Sequence, residues 1–209
     1  PVYQEMKSKE YELEMGEYID WSNSNKKQSL AIHLAKLMKV RQIIANDKVG
    51  VTCELINQSL KQEKKIIVFT NFTAPLMEIH NKFKDNSVIL NGGMKNTERQ
   101  HSVDEFQNNE NIKIFIANLK AGGVGLTLTA AEVVIMNDLS FVPSDHSQAE
   151  DRAFRIGQKN NVSILYPIYE NTIEQTIYNI LHKKKNIIDT VMGDNISEKD
   201  IFQEILNEL

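Results

Sequence analysis

Five short apolar runs, spaced along the middle of the chain, constrain its fold more than any other feature. They are Ile66-Ile67-Val68-Phe69, Val88-Ile89-Leu90, Ile114-Phe115-Ile116-Ala117, Val133-Val134-Ile135-Met136 and Val162-Ser163-Ile164-Leu165. Each is rich in β-branched residues and too short for a lone helix, so each reads as a buried strand. Stretches of helical character lie between several of them, at 74–83, 97–106 and 145–155. Buried strands alternating with helices imply a parallel sheet covered on both faces. Right-handed crossovers then give a doubly wound α/β domain. Functional residues are expected in loops beyond the carboxyl ends of those strands.

The flanks read differently. Segment 28–45 carries Leu30, Leu34, Leu37, Met38, Arg41 and Ile44 near a 3.6-residue period, and 49–60 places Val51, Leu55, Ile56 and Leu60 similarly. The Ser- and Asn-rich stretch 21–27 reads as a loop. Beyond residue 172, Ile173, Ile177, Ile180, Leu181, Ile187, Ile188 and Val191 supply another helical face, with Gly193 as its stop signal. The expected organisation is a helical segment over 1–60, the α/β lobe over 61–170 and a helical extension over 171–209.

The 209 residues suffice for one domain with appendages or two small ones, and 41% hydrophobic residues can build an ordinary core. With 24 basic and 28 acidic residues the formal charge is 24 − 28 = −4. That argues against a blanket nucleic-acid coat and is silent about a local groove. No long apolar run or signal-peptide pattern is visible, so no membrane partner is expected. The chain opens on Pro1, as a piece of a longer protein would. The lone Cys53 excludes an internal disulfide and a multi-cysteine zinc site, and an intracellular location is expected.

Two constellations carry chemistry. The first is Leu119-Lys120-Ala121-Gly122-Gly123-Val124-Gly125-Leu126-Thr127-Leu128, which follows an apolar strand. Its glycines let a backbone approach a ligand, and successive N–H groups can form an anion nest. A dinucleotide fingerprint needs a third glycine that Leu126-Thr127-Leu128 lacks, leaving a phosphate- or nucleic-acid-facing loop or a plain tight turn. The second runs from Gln148 to Gln158, where Arg152 and Arg155, three apart, are expected on one helix face. Two rigid guanidinium forks suit a phosphate. The alternative is surface pairing with Glu150 and Asp151. There is no Gly-Lys dipeptide, hence no lysine-bearing P-loop, and no strand ends in an Asp-Glu pair. Half of an NTPase site is therefore missing, although the chain could still supply arginine fingers to one.

Taken in order, these segments resemble the second RecA-like lobe of Swi/Snf-family superfamily-two ATPases, the helicase-related DNA translocases. Ile66 to Phe72 resembles motif IV. Asn91-Gly92-Gly93 through Arg99, Val103 and Phe106 resembles the following Asp-Gly-Ser-Thr…Arg…Phe segment. Leu119 to Leu128 resembles motif V, and Gln148 to Gln158, with its Arg-Ile-Gly-Gln ending, motif VI. Val40-Arg41-Gln42 resembles the Leu-Arg-Gln that precedes the lobe, and Thr172-Ile173-Glu174-Gln175 through Met192-Gly193 the C-terminal brace. The likeness covers residues 30–193.

The resemblance implies a RecA-like parallel sheet with helices on both faces and helical extensions at both ends. It implies an ATP hydrolase, with ATP and Mg2+ held mainly by an N-terminal RecA-like lobe of the same parent chain, and double-stranded DNA as partner. Arg152 and Arg155 would be arginine fingers, with Gln148, Gly123 and Gly125 on the nucleotide side. Thr70, Asn71, Gly93, Lys120, Ala121, Gly122 and Phe141 would face DNA. A fragment without the first lobe would be inactive. Asn91-Gly92-Gly93-Met94 lacks the family's two hydroxyls, leaving the Gly93 N–H as a substitute donor. Ser140-Phe141-Val142-Pro143 keeps one aromatic of the family's Trp-Trp-Asn-Pro. His146 is expected on a helix surface, and Lys183-Lys184-Lys185 reads as a solvated face or a DNA contact. The many Asn, Ile and Lys residues suggest an AT-rich genome, hence a cytoplasmic protein of bacterial or viral source. A non-catalytic nucleic-acid-binding module of the same fold and an RNA helicase lobe remain the alternatives.

Overall fold

A computed structural model describes residues 1–25, 29–122, 126–155, 157–158, 160–190 and 198–208. In chain order come strand β1 (Val2–Glu5) and helices α1 (Lys9–Ser24), α2 (Leu30–Asp47) and α3 (Val49–Leu60). Strand β2 (Ile66–Thr70), helix α4 (Thr73–Lys82), strand β3 (Ser87–Leu90), helix α5 (Asn96–Asn108) and strand β4 (Ile114–Asn118) follow. Then come the single turn α6 (Leu119–Gly122), strand β5 (Val133–Met136), helix α7 (Pro143–Ala153), strands β6 (Ser163–Leu165) and β7 (Pro167–Glu170), and helices α8 (Ile173–Thr190) and α9 (Glu198–Glu208).

The chain divides into two compact units. The first comprises residues 1–2, 48–140 and 144–167. Its sheet has the order β3-β4-β2-β5-β6, and every neighbouring pair is parallel. In the centre Val68 lies opposite Ile116 on one side and Ile135 on the other. Strand side chains alternate between faces, so each apolar run feeds two cores. Ile67, Phe69, Phe115, Ala117, Val134 and Met136 meet Val103 and Phe106 of α5 and Ala149 and Ala153 of α7. Ile66, Val68, Ile114, Ile116, Val133 and Ile135 meet Val49, Cys53 and Ile56 of α3 and Leu76 and Ile79 of α4. Burial on both faces explains why the runs are continuously apolar rather than alternating. Burying a side chain such as Phe115 completely contributes roughly 1.5–3 kcal/mol.

Short polar devices set the helix ends. Pro143 occupies the first position of α7, where a missing N–H costs nothing. The Glu98 carboxylate accepts the Lys95 N–H at 2.7 Å at the start of α5. Burial raises the Cys53 thiol above its usual value on α3, consistent with a packing residue.

The second unit comprises residues 3–47, 141–143 and 168–209. Its helices bury Tyr11, Tyr18, Leu37, Val40, Ile44, Ile173, Ile177, Ile180, Ile201, Phe202 and Ile205. The Tyr11 hydroxyl accepts the Ile173 N–H at 3.0 Å, satisfying an orphan donor at the start of α8. The Tyr18 hydroxyl lies 3.0 Å from His33 Nδ1.

The organisation differs from the sequence reading in three places. The compact units do not divide near residue 60: α3 packs on the sheet, and residues 3–47 sort with 168–209. Residues 21–24, expected as loop, continue α1, while 26–28 lie outside the described residues. The buried face of α2 runs through His33, Leu37, Val40, Arg41 and Ile44, leaving Met38 36% exposed. Gly193 lies outside the described residues. Among those described, no helix is long and apolar enough to cross a membrane.

Candidate functional site

The carboxyl ends of β2, β3, β4 and β5 deliver Thr70-Asn71, Asn91-Gly92-Gly93, Asn118 with α6, and Asn137-Asp138 to one edge of the sheet. In an open parallel sheet this edge is where ligands bind. Arg152 comes from α7, which connects β5 to β6, and Arg155 from the bend that follows it.

Arg152 and Arg155 converge on one backbone atom. Arg152 Nη1 donates to the Leu126 carbonyl at 3.4 Å, and Arg155 Nη1 donates to the same oxygen at 3.3 Å. Arg155 Nη1 also donates to Thr127 Oγ1 at 3.0 Å. Both guanidiniums thus border the segment that leaves the glycine loop. They do not share a helix face as expected, because α7 ends at Ala153 and Arg155 lies on the bend beyond. Arg152 is 7% exposed, whereas Arg155 is exposed. Burial pushes the Arg152 guanidinium below its ordinary value, and the Arg155 charge beside it adds to that shift. Two cations held together raise each other's cost of charge, and the Asp151 carboxylate partly offsets that cost at Arg152. Gln148 is exposed on α7. Gly123 and Gly125 lie outside the described residues, as does Ile156 of the Arg-Ile-Gly-Gln stretch.

Asp138, which the sequence reading passed over, organises the carboxyl end of β2. It is 3% exposed. Its Oδ2 accepts the Thr70 hydroxyl at 2.5 Å, and its Oδ1 accepts the Asn71 N–H at 2.9 Å and Asn71 Nδ2 at 2.6 Å. The Thr70 oxygen in turn accepts the Phe72 N–H at 3.2 Å. Thr70 is fully buried and its hydroxyl is engaged on both sides, so the DNA contact expected of its side chain does not fit this arrangement. Asn71 remains half-buried at the edge.

The remaining expected contacts divide. The Gly93 N–H, the expected substitute donor, is occupied by Asn91 Oδ1 at 3.0 Å. Arg99 pins that turn through the Met94 carbonyl at 3.1 Å and the Gly92 carbonyl at 3.2 Å. Lys120 is exposed on α6, whose last residues are Ala121 and Gly122. Phe141 is 2% exposed: within its unit the Arg41 guanidinium lies 4.1 Å from its ring centre, and Phe202 packs at 5.5 Å. A ring so enclosed cannot stack on a base, which corrects the role expected of it. His146 is 7% exposed rather than on the surface, with Nε2 3.1 Å from both the N and O of Ser140. Burial lowers its proton affinity below the usual histidine value. Lys183 is exposed and lies 3.8 Å from Glu208.

Among the described residues no group of three acidic, histidine or cysteine side chains is placed to hold a metal.

The helicase conserved C-terminal domain family matches residues 47–157. A Mycoplasma pneumoniae protein named an uncharacterized ATP-dependent helicase is 34% identical over 181 residues, covering 84% of this chain and 17% of that protein. A Drosophila melanogaster protein named SWI/SNF-related matrix-associated actin-dependent regulator of chromatin subfamily A-like protein 1 is 31% identical over 187 residues, covering 82% of this chain and 25% of its own length. The chain thus spans about a fifth of these relatives. Among solved structures, the Sulfolobus solfataricus SWI2/SNF2 ATPase core in complex with double-stranded DNA superposes with a TM-score of 0.77 at 25% identity, covering 98% of this chain and 47% of that one. Eukaryotic relatives, two of them named for regulating chromatin, overturn the expectation of a cytoplasmic protein of bacterial or viral source. That expectation rested on abundant Asn, Ile and Lys, a property of codon composition that carries no address.

Proposed function

We propose, because this chain belongs to the helicase conserved C-terminal domain family as a C-terminal lobe of the Swi/Snf type, that it is the second lobe of an ATP-driven translocase on double-stranded DNA. Arg152 and Arg155 act as arginine fingers toward a triphosphate carried by a first lobe of the same parent chain. Their convergence on the Leu126 carbonyl, at 3.4 and 3.3 Å, is the observation that supports this reading. Two fixed guanidiniums lower the barrier to γ-phosphoryl transfer by meeting charge as it spreads onto the phosphoryl oxygens. Gln148, exposed on the same helix, lines the nucleotide side. Magnesium belongs with the first lobe.

The edge residues Asn71, Lys120, Ala121 and Gly122, with the Asn91–Gly93 turn, form part of a groove along the DNA backbone. Contacts of this kind go to phosphates and carry no sequence information. The neighbour solved with double-stranded DNA supports this partner over RNA. Opening and closing of two lobes with each ATP would move the groove along the duplex.

The test is hydrolysis by the full-length parent protein, with and without duplex DNA, for Arg152→Ala and Arg155→Ala. Each is expected to lose roughly 10³-fold or more in turnover while nucleotide binding persists. Near-normal turnover in both variants would refute the finger assignment. The isolated 209-residue chain is expected to hydrolyse ATP negligibly.

A further inference from the structure

Hydrogen bonds gathered around one buried carboxylate fix how β2 ends. Asp138 takes the Thr70 hydroxyl, the Asn71 backbone N–H and the Asn71 side-chain amide, and Thr70 takes the Phe72 N–H. Behind it, Asn118 Nδ2 donates to the Thr70 carbonyl at 3.3 Å, and Thr52 Oγ1 donates to Asn137 Oδ1 at 2.6 Å. A carboxylate 3% exposed has given up most of its hydration. Such a group is retained only where its hydrogen bonds replace that hydration.

The arrangement consumes the Thr70 hydroxyl hydrogen and one of the two hydrogens on Asn71 Nδ2. A carboxamide nitrogen carries two donors, so one remains on a residue that is half-buried at the sheet edge. An anionic acceptor holds its donor at a shorter distance and in a stricter direction than a neutral one. We infer that Asp138 is a positioning residue, which clamps the Asn71 carboxamide so that its second N–H is aimed out of the sheet edge at a backbone phosphate. Thr70 serves as the relay that keeps Asn71-Phe72 in register with Asp138, and makes no contact with nucleic acid itself. The inference rests on the DNA-groove reading above and assigns roles within it.

The test uses the full-length parent protein and three variants: Asp138→Asn, Asn71→Ala and the pair combined. The measurement is the duplex concentration giving half-maximal stimulation of ATP hydrolysis, with KM for ATP and the melting temperature alongside. Asp138→Asn keeps the shape and turns an acceptor toward the Asn71 donors into a competing donor. It is expected to raise the half-stimulating duplex concentration about tenfold with KM for ATP held. Asn71→Ala moves the same quantity in the same direction, and the combined variant is no worse than the more severe single one. A merely structural Asp138 instead lowers the melting temperature while half-stimulation stays within about a factor of two, or its effect multiplies with that of Asn71→Ala. Either result overturns the inference. Should Asp138→Asn not fold, Thr70→Val removes one bond and leaves the carboxylate. A folded Thr70→Val protein with unchanged half-stimulation overturns the inference, and a rise of about threefold supports it. Wild-type hydrolysis indifferent to duplex overturns the DNA reading and this assignment together. A stimulated wild type with an unmoved Asp138→Asn overturns this assignment alone.

Discussion

The Gln158 carboxamide donates to the Ala153 carbonyl at 3.1 Å, and with the same nitrogen it reaches the Ala131 carbonyl at 2.8 Å. Ala153 is the last residue of α7 and Ala131 lies just before β5. The glutamine that ends Arg-Ile-Gly-Gln therefore closes the helix carrying Arg152 and ties it to the chain entering the sheet. The Leu128 N–H, donating to the Arg152 carbonyl at 2.9 Å, makes a second tie between the same two segments. Gln158→Ala leaves both carbonyls short of a donor. We expect it to lower unfolding free energy by about 1–3 kcal/mol, read as a reduced urea midpoint at unchanged m-value.

Gly157, one residue earlier, has φ +106°, a conformation that side chains resist. A Cβ added there meets nothing within 4 Å. The cost of Gly157→Ala is accordingly backbone strain alone, about 1–2 kcal/mol. Because the space is open, Gly157→Ser should cost the same as Gly157→Ala. A markedly larger loss for serine in thermal unfolding would show that packing, not φ, selects glycine here.

These two positions show where sequence reading succeeds and stops. The five strands were legible because burial on both faces demands unbroken β-branched runs such as Ile66–Thr70, and no other element of this length makes that demand. The proximity of Arg152 and Arg155 was legible from their spacing of three, and both reach the Leu126 carbonyl. The end of α7 was not, since Ala153 is followed by Phe154 and Arg155, neither of which breaks a helix, and the closure comes from the Gln158 side chain. Asp138 left no trace either: one acid after a strand has no period, and its partners Thr70 and Asn71 lie about 70 residues away. His146 was misplaced because its neighbours Asp145, Ser147 and Gln148 are polar. The buried set His146, Ala149 and Ala153, at helical spacing, held the missed signal.

The burial of His146 has a pH consequence. Its proton affinity is lowered chiefly by burial, partly offset by the Ser140 backbone bond and the Glu150, Asp145 and Asp138 carboxylates. Its Nδ1 finds no hydrogen-bond partner among the described residues. A folded value below the unfolded one means that the unfolded chain binds more protons between the two. The contribution to stability is therefore full above about pH 6.5 and declines as pH falls from there toward the folded value. Urea titrations at pH 7.5 and 5.5 should show a smaller pH dependence for His146→Gln than for the parent sequence, in proportions set by proton linkage. Equal slopes in the two proteins would remove His146 from the account.

The buried pair of Thr52 on α3 and Asn137 after β5 makes the opposite kind of prediction, one without pH dependence. Thr52 Oγ1 donates to Asn137 Oδ1 at 2.6 Å with Thr52 fully buried. Thr52→Val keeps the shape and leaves that oxygen without this donor, for an expected loss of about 1–3 kcal/mol. Thr52→Ser, which retains the hydroxyl and loses a methyl, should cost about 1 kcal/mol. If serine proves the worse of the two in denaturant titrations, the methyl and not the hydrogen bond holds α3 to the sheet.

Charge and fork geometry can be separated at Arg155. Its Nη1 is shared between the Thr127 hydroxyl at 3.0 Å and the Leu126 carbonyl at 3.3 Å, while the residue itself is exposed. Arg155→Lys preserves the positive charge but replaces a planar fork of five donors with a point charge on a flexible stem. If the guanidinium acts only by attracting nucleotide, the lysine protein should match the parent in both KM for ATP and turnover. If it acts as a finger, turnover should fall by about 10²-fold or more with KM for ATP little changed, since the loss is confined to the transition state. Stability should shift by less than about 0.5 kcal/mol at so exposed a site, so a fall in turnover cannot be ascribed to unfolding. Steady-state hydrolysis by the full-length protein at saturating duplex separates the two roles, and a lysine variant with full turnover would return Arg155 to the surface pairing first considered for it.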